Sequence, residues 1–336
     1  MEAGTLSPSR ELSPAERVRE AANRRPALAA AAVLGLILVV LVASQGLHDV
    51  AQTGINGLSL GAIFALGAVG LTLVYGILRL VNFAHGDFLT FGAYMAYIIN
   101  VTWEMPLVLG IFFAMALTAL LGVFFERVMW GPMRARGAGV LQLLLMAIGL
   151  ALLIRYAIQY AWGTEIRSLD VNDTATVEFV GLRVGRTSLI VIIVGVITLI
   201  GIGLMLRYAL LGKRMRALSD NLELAETSGI DTSRVILWTW IFAGALAGLA
   251  GVMAGAVTDV RPEMGFELLL PIFAAVVLGG IGDAFGALAA GLVLGVVIEW
   301  STLLIDARWK IFIGFVVLII ALIIRPQGIF GRAKAI

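Results

Sequence analysis

Gly54–Leu78 reads GINGLSLGAIFALGAVGLTLVYGIL, twenty-five residues without a charge. A helix needs about 20 mostly apolar residues to cross the hydrocarbon core of a bilayer, so this stretch predicts a transmembrane helix. Within it, Gly57-x-x-x-Gly61 puts two small residues on one face, where a second helix can approach closely. Working outward, comparable apolar runs occupy 27–44, 83–101, 106–125, 139–162, 188–207, 235–257 and 308–325. A longer run, 268–300, is interrupted by Gly279-Gly280-Ile281-Gly282-Asp283-Ala284-Phe285-Gly286. The 336-residue chain is 60% hydrophobic and 14% charged, with a mean hydropathy of +1.01. Soluble domains run roughly 45–50% apolar and about 25% charged. The expected fold is an all-α polytopic membrane bundle of about 8–10 transmembrane segments with broken helices.

The same composition removes several chemistries. There is no cysteine, which excludes a thiol nucleophile, a disulfide frame, an Fe–S cluster and a thiolate zinc site. Histidine occurs only at His48 and His85, too few for a histidine-based metal centre, and no cofactor is expected. A formal net charge of +2 without one basic face offers nothing to nucleic acid. No phosphate-binding Gly-x-x-x-x-Gly-Lys-[Ser/Thr] loop occurs; Gly212-Lys213-Arg214 lacks both the upstream glycine and the hydroxyl. If ATP drives this protein, another chain binds it.

Basic residues favour the cytoplasmic side of a membrane. Residues 1–26 form a polar tail carrying Arg10, Arg17, Arg19, Arg24 and Arg25, with no role legible in its sequence. The span that follows lacks the small-x-small exit of a cleavable signal. With that tail inside, the 126–137 loop (Arg127, Arg134, Arg136), the 208–234 loop (Lys213, Arg214, Arg216) and the tail 326–336 also fall inside. This holds only if 268–300 enters and returns, as a hairpin or as two short helices. A single transmembrane domain is therefore expected over 27–325. Further small-residue stripes, Gly244-x-x-x-Gly248, Gly251-x-x-x-Gly255 and Gly291-x-x-x-Gly295, predict close helix crossings within it.

Three segments stand out against the apolar background. Val81-Asn82-Phe83-Ala84-His85-Gly86-Asp87-Phe88 gathers Asn82, His85 and Asp87 between two spans. Such groups face a cavity or the bundle interior when they lie at membrane depth. A short surface turn with Asp87 capping the next helix is the plainer alternative. In a broken helix, unwound carbonyls can meet a cation and a helix N-terminus an anion. The Gly279–Gly286 break is the second segment, and Gly86-Asp87 with Gly282-Asp283 hints at an inverted repeat. The third runs from Arg216 to Ile230. Asp220 followed by Glu223 predicts an N-cap and its capping-box partner, and Gly229 a C-terminal stop, with Asp231 or Thr232 capping the next span. Helices that short are marginal unless something packs on them. Either the bundle's own face covers it, or it inserts into a groove on a separate cytoplasmic subunit.

Glu223-x-Ala225-x-x-x-Gly229-Ile230 resembles the cytoplasmic motif by which ABC importer permeases dock on their ATPase, and Phe242–Gly251 resembles the span that follows it. Asn82–Phe88 with Gly92-Ala93-Tyr94, then Val277–Gly282 and Arg325–Gly331, resemble the H-type permease of branched-chain amino acid importers. The resemblance covers roughly residues 50–332, and urea and short-amide permeases share a similar Ala-His-Gly segment. It implies a multi-pass permease in a bacterial or archaeal cytoplasmic membrane. It also implies a second M-type permease, two cytoplasmic ATPase subunits and an extracytoplasmic solute-binding protein as partners. On this reading Arg216, Asp220, Glu223, Ala225, Glu226, Gly229 and Ile230 form the ATPase-coupling segment. The substrate pathway is expected at Asn82, His85, Gly86, Asp87, Gly279, Gly280, Gly282 and Asp283, chiefly through backbone groups.

Two further charges stand out. Arg155, inside the 139–162 span, is expected to snorkel to the outer interface, and Glu299 to be solvated at the outer end of its helix. One rival reading comes from a different class. Gly280-Ile281-Gly282-Asp283 matches the Gly-x-Gly-Asp signature of intramembrane aspartyl proteases, with Asp87 as the second carboxylate. Against it, no Tyr-Asp dipeptide occurs, and Pro26-Ala27-Leu28 precedes the first span instead of following the aspartates. A passive channel would need neither ATP nor a capped cytoplasmic helix.

Overall fold

A computed structural model describes residues 26–171, 175–179, 181–324 and 328; the expected terminal tails lie outside these residues. Helix α1 (Pro26–Gln45) is a unit by itself. The second unit begins with α2 (Leu47–Leu78), followed by α3 (His85–Tyr97), which a π-helical turn extends to Thr102. Next come α4 (Leu107–Phe125), a π-helical turn at Glu126–Trp130 and the short α5 (Gly131–Ala135). After α6 (Val140–Trp162) a small antiparallel hairpin, β1 (Thr176–Phe179) and β2 (Leu182–Gly185), pairs Thr176 with Gly185. The chain continues through α7 (Arg186–Tyr208), α8 (Leu210–Asp220), α9 (Leu222–Thr227) and α10 (Thr232–Val257). It closes with α11 (Met264–Gly279), α12 (Ala284–Ser301) and α13 (Lys310–Ile324).

Among the described residues, six helices are long and apolar enough to cross a membrane: α2, α4 with its extension to Ala135, α6, α7, α10 and α12. The protein is an all-α multi-pass membrane bundle. At the centre is α2, whose apolar window is 89% buried, against 28% for α4 and 22% for α7. The outer helices expose Phe112, Leu120, Phe124, Ile197, Ile200 and Leu204, as expected where hydrocarbon is the solvent.

The glycine stripes explain how the centre closes. Gly57 and Gly61 of α2 face Gly291 and Gly295 of α12: a Cβ on Gly61 would lie 2.7 Å from the Leu292 carbonyl, and one on Gly291 2.6 Å from Ala65 Cα. Gly244 and Gly248 of α10 sit against Ala114, Thr118 and Ala119 of α4, and Gly251 against Leu89 of α3. No hydrophobic force drives helices together in lipid, so close backbone approach and dispersion do it instead.

The described residues of this second unit have two distinguishable ends. At one, Arg79 Nη2 donates to the Ser219 carbonyl (3.0 Å), and a Cβ on Gly76 would lie 3.6 Å from Gly282 Cα. At the other, Trp300 donates to the Val50 carbonyl (3.1 Å), Gln52 exchanges two hydrogen bonds with Arg183, and Arg167 bridges to Val260. The first is called the loop end below, because α8 and α9 lie there; the second is the far end. The interruption of 268–300 is therefore a reverse turn at the loop end, between the shorter α11 and the span-length α12. Gly280 (φ +100°) and Gly282 (φ +92°) take the left-handed backbone this turn needs.

Candidate functional site

The genuine break lies at residues 79–84. After α2 ends at Leu78, the chain turns through Arg79 and climbs back into the bundle before α3 begins. His85 Nε2–H donates to the Gly67 carbonyl at 2.9 Å. Gly67 is eleven residues from the end of α2, which places His85 about 16 Å inside that end at 1.5 Å per residue. The segment is not a surface turn: α2 runs unbroken to Leu78, and residues 79–84 re-enter the bundle, where His85 and Asp87 are buried at the start of α3. Within the break, the Asn82 carbonyl accepts from His85 N (3.2 Å) and its side-chain oxygen from Ala84 N (3.1 Å). Asn82 Nδ2 finds no hydrogen-bond partner among the described residues.

A second half-helix, α11, starts beside the first and runs the opposite way. Gly86 and Gly265 touch backbone to backbone, and Thr90 Oγ1 accepts from Gly265 N at 3.0 Å. Each half-helix carries an acid in its first turn, Asp87 and Glu267, matching the positive end of its dipole.

Asp87 is fully buried, and both its oxygens are taken by Arg155, from Nε at 3.0 Å and from Nη2 at 3.1 Å. The snorkelling expected of Arg155 is thus corrected. Its side chain is only 13% exposed and turns into the bundle, with its guanidinium 4.6 Å over the Phe266 ring. The cost of leaving Asp87 unpaired at that depth exceeds what Arg155 would gain at the interface. One turn further along α6, Gln159 donates to Glu263 at 2.7 Å. An arginine inside an apolar span was the signal for this pair, and Asp87 is the buried acid that answers it.

Glu299 is also corrected. It is 12% exposed and takes Lys310 Nζ at 2.6 Å, a pair that ties the end of α12 to the start of α13. A further cluster that the sequence did not reveal joins Glu126 to Arg134 and to Trp240 Nε1 (2.7 Å), with Trp130 stacked on Trp240.

The other expected pathway residues lie elsewhere. Gly279, Gly280 and Gly282 form the turn at the loop end, and Asp283 Oδ1 caps α12 by accepting from Phe285 N (3.0 Å) and Gly286 N (3.1 Å). Asp283 sits near the level of Gly76 and Asp87 beyond that of Gly67, so they belong to different depths. With Asp87 held by arginine and Asp283 by amides, the shared-proton dyad of an aspartyl protease is not formed.

The loop segment has the geometry of a displayed helix. The N-cap of α9 is Asn221, whose Oδ1 accepts from Leu224 N (2.9 Å), while Asp220 ends α8. The expected Asp220 cap is corrected by one residue: Asn221 takes the extended backbone that a cap requires. At the other end Gly229 (φ +82°) donates to the Glu226 carbonyl, and Ile230 N to the Ala225 carbonyl at 3.1 Å, a Schellman closure. Ala225 is buried against the bundle; Leu222, Glu223, Leu224 and Glu226 are exposed, as are Lys213, Arg214 and Arg216 of the preceding helix. Asp231 caps α10, and its bonds from the Arg234 amide and the Ser233 hydroxyl hold its carboxyl below the usual range.

Half-helices meeting inside a bundle with an apolar exterior are the frame of a multi-pass membrane protein, and its relatives give the class: a membrane transport subunit. The chain belongs to the family described as branched-chain amino acid transport system / permease component, whose model matches residues 54–322. It is 31% identical over 297 residues to the high-affinity branched-chain amino acid transport system permease protein LivH of Escherichia coli, covering 84% of this chain and 96% of that one. Against the corresponding permease protein BraD of Pseudomonas aeruginosa the identity is also 31% over 297 residues, with the same coverage. The ribose import permease protein RbsC of Escherichia coli is 26% identical over 306 residues, covering 87% of this chain and 91% of that one.

Proposed function

We propose that this chain is the permease subunit of an ATP-driven ABC importer for branched-chain or other hydrophobic amino acids. The loop end is cytoplasmic, as its arginines and lysines favour. There α9 docks on one of two ATPase subunits, and Glu223, Glu226, Leu222 and Leu224 form the contact. A second M-type permease completes the membrane core, and a solute-binding protein delivers cargo at the far end. ATP is hydrolysed in the partners, so this chain needs no phosphate loop. The observation that carries the reading is α9 itself: a six-residue helix, stopped at both ends and holding two leucines in the open. So short a helix is unstable alone, and exposed leucines beside exposed acids suit a partner groove.

The pathway runs past the two half-helices. We place Asn82, His85, Gly86 and Asp87 there as the frame of the first half-helix, and Gly279, Gly280, Gly282 and Asp283 as the loop-end turn that carries α12. The test is reconstitution of the four-subunit importer with its binding protein in liposomes. Glu223→Lys and Gly229→Trp are expected to abolish leucine-stimulated ATP hydrolysis while the complex stays assembled. Normal coupling in both variants overturns the assignment of α9. Stimulation by short amides in place of leucine would make this a urea-type permease.

A further inference from the structure

Near the far end, a cleft of about 160 Å³ opens between α2, the first turns of α11, α12 and the start of α13. Leu60, Phe64, Leu268 and Ile298 form an apolar wall, and Arg261, Glu267 and Lys310 supply charge on the remaining sides. Ionisable groups beside transmembrane helices usually face an aqueous path.

The charges are paired but not consumed. Arg261 donates from Nη2 to Glu267 at 2.8 Å, and both side chains remain 39% exposed. Its Nε lies 3.1 Å from Asp259 Oδ1, yet neither atom makes an aligned hydrogen bond. Lys310, held by Glu299, is 36% exposed. Pro271 has no amide hydrogen, so the Glu267 carbonyl one turn earlier lacks its helical donor. The cleft thus sets partly exposed ion pairs beside an aliphatic surface.

We propose that this cleft is an entry site for an aliphatic amino acid as its zwitterion. Arg261 and Lys310 take the carboxylate, Glu267 takes the ammonium, and Leu60, Phe64 and Ile298 receive the side chain. A zwitterion supplies one charge of each sign, so it exchanges partners with the resident pairs and leaves no buried charge alone. The volume is below the roughly 300–1,000 Å³ of sites for drug-sized ligands and suits a molecule of amino-acid size. This proposal rests on the cargo reading above and adds to it the place of recognition.

The test uses the assembled permease–ATPase complex in lipid nanodiscs, without binding protein, and tritiated leucine as the probe. Saturable binding is expected, displaced by isoleucine and valine. Leucinamide, which lacks the carboxylate, and 4-methylpentanoate, which lacks the ammonium, should fail to displace it. Arg261→Gln and Glu267→Gln should each weaken binding tenfold or more, and Glu267→Asp should restore most of it. Phe64→Ala should shift preference from leucine toward phenylalanine several-fold. If both glutamine variants assemble, bind leucine and, with binding protein added, carry it as the unaltered complex does, the cleft is not the site, and the importer reading stands. If the unaltered complex carries no aliphatic amino acid with its binding protein, the cargo reading fails and this proposal fails with it. Equal displacement by leucinamide also overturns the proposal, because the carboxylate would then have no partner.

Discussion

Arg155 and Asp87 show what one residue can do at membrane depth. Each alone is a burden there; together they satisfy both carboxylate oxygens and fix α3 to α6. Removing one partner of a buried pair typically costs about 3–5 kcal/mol, because the survivor keeps its charge without its counter-ion. Arg155→Met is therefore expected to lower thermal stability in detergent far more than Arg155→Met with Asp87→Leu, which removes both charges. A double-mutant cycle on the unfolding midpoints checks this, and additive losses would mean the pair is not coupled. His85 is bound differently, by one hydrogen bond to the Gly67 carbonyl.

At the scale of the element, small residues and caps decide the outcome. A Cβ on Gly295 would run into the backbone of Gly61, so Gly295→Leu is expected to push α2 and α12 apart and destabilise by about 1–3 kcal/mol or more. Gly201→Leu, on the exposed face of α7 with nothing nearby, is expected to leave the melting temperature almost unchanged. Comparing the two by thermal shift separates a packing glycine from a tolerated one. The cap of α9 gives a second contrast. Asn221→Ala removes the acceptor for Leu224 N and should cost about 1 kcal/mol locally. Faster amide exchange at residues 222–227, without a change in global stability, is the expected signature. Asp220→Ala should leave that exchange alone. Both aspartate and asparagine are good caps, so the sequence allowed either; the extended backbone at Asn221 made the choice.

At the scale of the whole molecule, sidedness is the testable property. The chain contains no cysteine, so a single introduced thiol reports its own side of the membrane. Lys213→Cys, on the exposed face of α8, should be labelled only from the cytoplasm, and Arg308→Cys, before α13, only from outside. Labelling of both from one side would overturn the orientation. The apolar runs and the glycine stripes were legible along the chain. Of the about 8–10 crossing segments expected, however, only six described helices are long and apolar enough, with α3 and α11 forming shorter ones. Of the two forms allowed for 268–300, the packing selected two helices. Hydrocarbon demands about 20 apolar residues per crossing, and this rule is local. The 176–185 hairpin was not legible, since four-residue strands leave little periodicity to read. Partnerships were hidden for a different reason. Arg155 lies 68 residues from Asp87, Glu126 lies 114 from Trp240, and Arg261 sits in the loop before α11 whereas Lys310 begins α13. Where a charge goes in a membrane depends on which opposite charge the packing brings within about 3 Å, and the linear order holds no record of that distance. The amino-acid order alone therefore named the solvent, the architecture and the family likeness. The folded bundle alone carried one break from the loop end back inside the bundle and left the other at that end, because depth is set by which helices lie side by side.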